Sequence, residues 1–253
     1  MGRRWQAGKL TVVRSDSRKE MGEAAARDAA EALRRIGREK DEIRVIFAAA
    51  PSQNEFLDAL KNEDVPWEKI VAFQMDDYVD LAPEAPQRFS AFLKEHIWDH
   101  VPVKKIHILS CFDEESGQAE ILRYGRLLRE HPLDAAFIGI GENGHIAFND
   151  PDVADYFDPA EIKRIPMDER SRIQQVHDGC FASLDEVPHA ALTVTLPVIL
   201  RAKQIFCVVP AGTKAQAVKA ALEGPIGTKC PASALRLIDR AVLYLDADSA
   251  SLL

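Results

Sequence analysis

Cysteines are few in this sequence, and none of them are closely spaced. Its 253 residues include four, Cys111, Cys180, Cys207 and Cys230, with no Cys-x-x-Cys pair. Disulfide-stapled secreted domains and zinc modules both need cysteines at short, regular spacings. We therefore expect a protein of the reducing cytoplasm, with neither a disulfide framework nor a metal cluster.

Long apolar runs are also missing. No stretch approaches the roughly 18 to 20 consecutive apolar residues that span a bilayer, so we expect no membrane partner. The first six residues carry two arginines with no apolar stretch behind them, which predicts neither an export signal nor a lipid anchor. The 13 glycines and 14 prolines follow no repeat, which excludes collagen-like and low-complexity chains.

Positive charge is not in excess. The formal net charge is −8, whereas a protein that binds nucleic acid nonspecifically needs a clustered basic surface for the phosphate backbone. We therefore expect no nucleic-acid partner. A small phosphorylated molecule, in contrast, needs only a local cationic pocket.

The sequence does contain short apolar runs that alternate with amphipathic stretches. The runs at residues 10–13, 43–48, 70–73, 106–109, 134–140, 205–209 and 241–245 predict strands. The stretches between them predict helices, the first capped at Ser15 and Asp16. We predict one α/β domain over residues 1–253, a three-layer αβα sandwich around a mostly parallel, Rossmann-like sheet.

One segment breaks this alternation. Residues 151–188 are polar and weakly periodic, which favours a lid or an inserted loop over a part of the core.

Polar residues follow several of the predicted strands. Ser52 follows the second, Asp76 and Asp77 the third, the segment from Gly139 to Pro151 the long apolar run, and Lys214 a later strand. Ligands of open parallel sheets bind beyond the carboxyl ends of the strands. We therefore expect these side chains to meet around one ligand.

The segment from Gly139 to Gly144 matches the G-x-G-x-x-G pattern of dinucleotide-binding proteins, but its context differs. That motif must open a helix, and here Pro151 follows too soon for a long one. No acidic residue at the end of a next strand follows about 20 residues later for a ribose. We interpret Gly141 and Gly144 instead as turn residues that bring backbone amides and His145 to a ligand.

Each candidate also has a simpler interpretation. A lone histidine such as His145 is usually just hydrogen-bonded in its loop, but Asn143 and Asp150 nearby favour a proton-transfer role. The Asp76-Asp77 pair supports a general base and a substrate contact, although acidic dipeptides in loops are commonly only solvated.

The cationic candidates are open to the same question. Lys214 stands between a strand and a helix start, a position suited to phosphate, yet it could be a surface lysine. Arg170 and Arg172 lie in the polar segment, where solvated arginines are common.

Together these motifs resemble the glucosamine-6-phosphate deaminase (isomerase) family, which shares its fold with the 6-phosphogluconolactonases. The resemblance covers nearly the whole chain. It is carried by Phe73-Gln-Met-Asp-Asp-Tyr-Val79, by Gly139 to Pro151, by Ala191-Leu-Thr-Val194, by Gly212-Thr-Lys214 and by Pro231-Ala-Ser-Ala-Leu235. It implies a cytoplasmic enzyme of amino-sugar catabolism that opens a sugar phosphate, isomerises it to the ketose and releases ammonia, without a metal or organic cofactor.

The resemblance also implies roles for particular residues. Asp76 would be the base that moves a proton between C2 and C1, and His145 would assist ring opening. Asn143 and Asp150 match the positions that orient this histidine.

Further matches concern the substrate's phosphate. Ser52 and Lys214 match phosphate-holding positions, and Arg172 is the nearest match to the arginine expected there. Asp77, Gly141 and Gly144 are predicted to contact the substrate. A homo-oligomer is compatible with the sequence.

Three departures from the family pattern stand out. The phosphate loop, usually rich in Thr and Gly, reads Ala48-Ala-Ala-Pro-Ser-Gln53. Asp150 stands where Glu is usual, so its reach to His145 is expected to need a backbone adjustment or a water. Asn143 stands where many members have Asp.

Two other functions remain open from the sequence. One is hydrolysis of a sugar-phosphate lactone, in which His145 would activate water and Asp76 would not be the central base. The other is a sugar-phosphate-binding regulator without turnover, suggested by the altered loop at residues 48–53.

Overall fold

Strands and helices alternate along most of the chain, as the apolar pattern predicts. The computed structural model describes residues 3–130 and 132–253; Met1 and Gly2, on which the export-signal and lipid-anchor prediction partly rests, lie outside them. The strands are β1 Arg3–Ala7, β2 Leu10–Arg14, β3 Ile43–Phe47, β4 Ile70–Gln74, β5 Asp76–Tyr78, β6 Lys105–His107, β7 Ala135–Ile138, β8 Ile162–Pro166, β9 Ala190–Val194, β10 Ile205–Val209 and β11 Ala241–Leu245. The helices are α1 Arg18–Glu39, α2 Asn54–Leu60, α3 Phe89–His96, α4 Glu114–Glu130, α5 Glu169–His177, α6 Leu196–Leu200 and α7 Ala215–Glu223. Over these ranges no helix combines the length and apolarity that crossing a membrane requires.

Eight of the strands form one sheet in the order β1-β2-β11-β10-β7-β3-β4-β6. Every neighbouring pair is parallel except β1 and β2 at one edge. The central strands are apolar on both faces because both are covered: Val45 and Phe47 pack into one buried cluster, and Ile46 packs into the other. The predicted three-layer, mostly parallel α/β architecture is confirmed.

The helices divide between the two faces of this sheet. Helices α1, α2 and α3 supply buried side chains to one cluster, and α4, α6 and α7 to the other. Helix α1 begins after Ser17, whose hydroxyl accepts a hydrogen bond from the amide of Glu20 at 3.2 Å. The cap is therefore Ser17 rather than Ser15 or Asp16, because the chain stays extended for one more residue.

A second sheet arises from segments that the sequence pattern did not assign to strands. Strands β5, β9 and β8 pair antiparallel in that order. Strand β8 lies in the polar segment at residues 151–188, and Ile162 and Ile165 are buried there. The prediction that this segment is a lid or loop outside the core is thus wrong for β8.

The small sheet matters for the site because β5 directly follows β4. Asp76 pairs with Thr193 of β9, so the backbone that carries this aspartate is held between the two sheets. Beside it, at the carboxyl edge of the large sheet, lie the segments that follow β3, β7 and β10.

Candidate active site

A cavity of about 520 Å³, including its mouth, lies at the carboxyl edge of the large sheet. The structure brings together five of the predicted site residues in its wall: Ser52, Asp76, Gly141, His145 and Lys214. They come from loops that are far apart in sequence, and they meet because the strands preceding them are parallel neighbours.

Asp76 presents a nearly bare carboxylate to this cavity. Its side chain is 7% exposed, and no group within residues 3–130 and 132–253 donates a hydrogen bond to it. The amide Nε2 of Gln74 holds its backbone carbonyl at 2.9 Å. Burial first, and then the charges of Asp77 and Asp150, raise the pKa of Asp76 well above its usual range. A carboxylate with a raised pKa is a stronger proton acceptor once it is ionised.

Asp77 lies on the other side of the same strand and does not line the cavity. It is 1% exposed and pairs with Arg88, with 3.3 Å between Oδ2 and Nη1. It also accepts hydrogen bonds from Gln74 Nε2 at 2.8 Å and from the amide of Tyr78 at 2.9 Å. Asp77 is therefore not among the predicted site residues that the structure brings to the cavity, because successive residues of a strand point to opposite faces. Its place in the structure is a buried anchor beneath Asp76.

His145 is held in the cavity wall by Asp150 and by Ser171 of α5. Its Nδ1 lies 2.9 Å from Asp150 Oδ1 and 3.0 Å from Ser171 Oγ. The Ser171 hydroxyl donates its own proton to Asp150 Oδ1, so both groups act as acceptors toward Nδ1. We infer that the neutral imidazole carries its proton on Nδ1, which leaves Nε2 free to accept a proton in the cavity.

Asp150 reaches the imidazole directly, at a distance that needs no bridging water. The loop between the two residues bends sharply at Ala147, whose φ is 53°. Burial alone raises the pKa of Asp150, but the hydrogen bond and charge of His145, with hydrogen bonds from Asn143 and Ser171, lower it overall. Asp150 thus stays ionised beside the ring.

Asn143 acts on this pair indirectly. Its Oδ1 accepts from the backbone amide of His145 at 3.1 Å, and its Nδ2 donates to Asp150 Oδ1 at 2.9 Å. It does not touch the imidazole, so its predicted orienting role can operate only through the loop and through Asp150.

The two predicted glycines of this loop, Gly141 and Gly144, are required for different structural reasons. A Cβ at Gly141 would lie 2.1 Å from the His145 ring, so the imidazole packs directly on the glycine backbone. Gly144 has φ of 87°, and a Cβ there would meet Cys230 Sγ at 2.7 Å. Gly144 does not line the cavity, so its part is to shape the turn rather than to contact a substrate.

Ser52 and Gln53 also line the cavity, in a 3₁₀ turn that begins at Pro51. Gln53 Nε2 donates to Ser52 Oγ at 3.2 Å and to the carbonyl of Val208 at 3.2 Å. The serine oxygen is therefore an acceptor toward Gln53, and its proton remains available to a ligand in the cavity.

Lys214 is a buried ammonium with no ion pair. It follows β10 in a 3₁₀ turn and is 5% exposed. The carboxylate of Asp246 fixes this turn by accepting from the amide of Ala211, which has φ of 79°. Across the described ranges the ammonium of Lys214 has no hydrogen-bond or ion-pair partner, and burial lowers its pKa against the opposing influence of Asp178 and Glu142. An unpaired buried cation facing a cavity is a strong site for an anion.

Arg172, the nearest sequence match to a phosphate-binding arginine, points away from the cavity. Its Nη2 donates to the carbonyls of Leu184 at 2.7 Å and Val187 at 3.0 Å, and it does not line the cavity. Arg170 is exposed on the same helix. Arg172 is not among the predicted site residues that the structure brings to the cavity, because it lies about 100° around the helix axis from its inward-facing neighbour Ser171.

Three residues of α5 that belong to the site were not predicted from the sequence. Ser171, Gln174 and Gln175 are the buried residues of this helix, and both glutamines line the cavity. Gln174 Oε1 accepts from the amide of Glu142 at 2.9 Å. Their i, i+3, i+4 spacing was the available signal, since it places three uncharged polar residues on one helical face.

The described ranges contain no cluster of side chains arranged to bind a metal ion. No three His, Cys, Asp or Glu side chains there are grouped closely enough to hold an ion. The cavity offers instead one bare carboxylate, one imidazole with a free nitrogen, one unpaired ammonium and several neutral donors. This set can transfer protons on a small anionic molecule.

Comparison with known proteins places these residues in a family context. Residues 16–244 match the family model described as glucosamine-6-phosphate isomerases/6-phosphogluconolactonase. The glucosamine-6-phosphate deaminase of Lacticaseibacillus paracasei is 33% identical over 193 residues, which is 76% of this chain and 79% of that protein. The deaminase of Exiguobacterium sibiricum is 31% identical over 218 residues, covering 86% and 84% respectively.

Solved structures are similar over almost the full length. A monomeric glucosamine-6-phosphate deaminase superposes with a TM-score of 0.85 at 26% identity, covering 96% of this chain and 99% of that one. The 6-phosphogluconolactonase of Trypanosoma brucei gives a TM-score of 0.79 at 14% identity, with 96% and 98% coverage. The second similarity concerns the fold alone.

Proposed function

This chain belongs to the glucosamine-6-phosphate isomerase/6-phosphogluconolactonase family, and we propose that it is a glucosamine-6-phosphate deaminase. The proposed reaction converts glucosamine 6-phosphate and water into fructose 6-phosphate and ammonia. One observation carries the proposal: the bare carboxylate of Asp76 and the imidazole of His145 face the same cavity as the unpaired ammonium of Lys214. The similar proteins described as deaminases support the choice of reaction.

His145 opens the sugar ring in this proposal. Its Nε2 accepts the proton of the anomeric hydroxyl and returns a proton to the ring oxygen as the C1–O5 bond breaks. Asp150 stabilises the imidazolium that forms between these two transfers, since its carboxylate lies 2.9 Å from Nδ1. No net proton is consumed.

Asp76 then performs the isomerisation. It removes the proton from C2 of the open aldose and delivers a proton to C1, while the amino group gives up a proton that goes to O1, which leaves a hydroxyl at C1 and an imine at C2. Water adds to this imine and ammonia leaves, giving the ketose. A carboxylate that receives no hydrogen bond and has a raised pKa suits this step, because abstraction of a proton from carbon needs a strong base.

Lys214 and Ser52 hold the phosphate end. Within the described part of the chain no carboxylate contacts the ammonium directly, and the serine hydroxyl has a free proton. Both lie in the cavity wall, so a phosphate between them would receive a charged and a neutral hydrogen bond.

The experiment is a product assay over a panel of phosphorylated sugars that includes 6-phosphogluconolactone. We expect ammonia and fructose 6-phosphate in equal amounts from glucosamine 6-phosphate. Hydrolysis of the lactone without ammonia release from any amino sugar would instead favour a lactonase. Saturable binding of the amino sugar without either product would favour a non-catalytic binding protein.

Three broader properties belong to the same proposal. We propose a single domain over residues 1–253, supported by the family match over most of this range. We propose a cytoplasmic location, supported by four cysteines that are all free. A homo-oligomer remains a prediction, to be tested by light scattering, and one similar deaminase is described as monomeric.

A further inference from the structure

The cavity provides little positive charge for a phosphate group. Among its described wall residues Lys214 is the single cation, and Arg172 is directed toward the carbonyls of another loop. The carboxylates of Asp178 and Glu142 are close enough to act electrostatically on Lys214. A phosphate bound there must therefore obtain much of its hydrogen bonding from neutral donors.

Gln175 is a neutral donor held ready in this wall. Its side chain is 6% exposed and lines the cavity. Its Oε1 accepts the hydroxyl of Tyr78 at 2.5 Å, which fixes the orientation of the amide. Nowhere in residues 3–130 or 132–253 does its Nε2 find an acceptor, so two N–H bonds remain for a ligand.

Tyr78 is a rigid support for this orientation. It is fully buried and packs against Phe89 and Phe181, with ring centroids 4.8 and 5.3 Å away. Its backbone pairs with Ala191 in the small sheet. The hydroxyl therefore has little freedom to seek another partner.

Gln175 also lies on the side of the cavity where a phosphate is expected. The amide of Cys180 donates to the carbonyl of Gln175 at 2.9 Å, and Cys180 lines a neighbouring groove together with Ala50 and Pro51. Ser52 follows directly in the chain. The end of α5 and the loop that carries Ser52 are thus adjacent.

The neighbouring Gln174 makes a useful contrast. Its Oε1 accepts from Glu142 and its Nε2 donates to Asp178 Oδ2 at 3.2 Å. Both ends of that amide are already engaged within the protein, whereas Gln175 has one end free.

We propose that Gln175 is a substrate-binding residue whose Nε2 donates to the anionic end of the sugar phosphate and, with Lys214, takes the place of a second cation. The identity of the ligand rests on the proposed function. The role of the amide as a hydrogen-bond donor to an anion does not rest on that function, because inorganic phosphate can probe it.

The test measures the dissociation constant of inorganic phosphate by calorimetry and KM for glucosamine 6-phosphate in the same set of variants. Gln175→Leu removes the donor, and the loss of a hydrogen bond to a charged group predicts that both the dissociation constant and KM rise by about tenfold or more. Gln175→Glu places a negative charge against the anion, so both constants are expected to rise further. Gln118, exposed on α4, provides matched controls with the same two substitutions, which should change neither quantity.

Tyr78→Phe gives a second, more conservative probe. It removes only the orienting hydroxyl, so phosphate binding should weaken by about 2- to 12-fold, as expected for one neutral hydrogen bond. The double variant Tyr78→Phe/Gln175→Leu should bind phosphate no more weakly than Gln175→Leu alone, because the tyrosine acts through the glutamine.

The outcomes distinguish the two proposals. Unchanged phosphate affinity and KM in folded Gln175→Leu, or in Tyr78→Phe if the leucine variant does not fold, would overturn the role of Gln175. Absence of saturable phosphate binding by the wild-type protein would overturn it as well. Phosphate binding that depends on Gln175, in a protein that releases no ammonia from the amino sugar, would overturn the proposed function alone.

Discussion

Asp150 Oδ1 lies 2.9 Å from Nδ1 of His145, a direct contact between the carboxylate and the imidazole. The contact is reinforced by Ser171, which reaches both residues from α5. The orientation of the proposed ring-opening histidine therefore depends on a helix that lies in the polar segment of the chain.

Ser171→Ala should lower kcat and leave KM for the amino-sugar phosphate nearly unchanged. The hydroxyl touches the His145–Asp150 pair but does not line the cavity, so its loss affects the proton-transfer steps. We expect about a 2- to 12-fold lower kcat, the effect of one hydrogen bond contributing roughly 0.5–1.5 kcal/mol. Steady-state kinetics beside the exposed control Ser251→Ala test this, and a rise in KM at constant kcat would assign Ser171 to binding instead.

Asp76→Asn should make the protein more stable at neutral pH. The folded protein raises the pKa of this acid, so the unfolded chain loses the proton first as pH rises. Stability is then lost between the unfolded pKa of about 3.9 and the higher folded value. The amide removes this penalty, and each kcal/mol regained should raise the unfolding midpoint by about 2–4 °C. Calorimetry at pH 7 is the measurement, and a lower midpoint than the wild type would count against a desolvated carboxylate.

The pH dependence of kcat should report the same raised pKa. Asp76 must be ionised to accept the C2 proton, so kcat falls as pH drops through its pKa. We expect this acid limb to lie above the usual aspartate value of about 3.9. The measurement uses kcat at saturating substrate, because the phosphate's own ionisation near pH 6 affects binding. A kcat that stays constant down to pH 4 would contradict the expectation.

Lys214→Met should weaken substrate binding and stabilise the fold. Loss of the ammonium should cost about 1–3 kcal/mol of phosphate binding, seen as a higher KM. Burial lowers the pKa of this lysine, so its charged form costs stability at neutral pH, and methionine fills the same space without a charge. Kinetics and thermal unfolding are measured together, with the exposed Lys229→Met as control. An unchanged KM would remove Lys214 from the phosphate site.

The large sheet could be predicted because its strands carry a simple signal. Strands such as β7 and β10 are buried on both faces, so they read as continuous apolar runs of nearly the observed length. The edge strand β1 was not predicted. Its sequence, Arg-Arg-Trp-Gln-Ala, contains three polar residues and a partly exposed tryptophan, so it shows no apolar run. The small sheet was missed for a related reason. In β8 two charged residues separate Ile162 from Ile165, and the strand's pairing partner, β9, lies far along the chain.

The candidate site could be predicted as far as it follows the strands. Asp76, His145 and Lys214 each come after a strand of the parallel sheet, and topology alone brings such residues together. The contribution of α5 could not be found this way, because it depends on how one helix packs against the loop at residues 141–150. The helical period then turns Gln175 inward and Arg172 outward.

The most direct test of this account compares the wild-type protein with Asp76→Asn on glucosamine 6-phosphate. We expect the wild type to release ammonia and fructose 6-phosphate in equal amounts. We expect Asp76→Asn to bind inorganic phosphate normally yet form both products about 10²- to 10⁴-fold more slowly, the loss typical of a missing general base. Wild-type rates from Asp76→Asn, or no ammonia from the wild-type protein, would contradict the account.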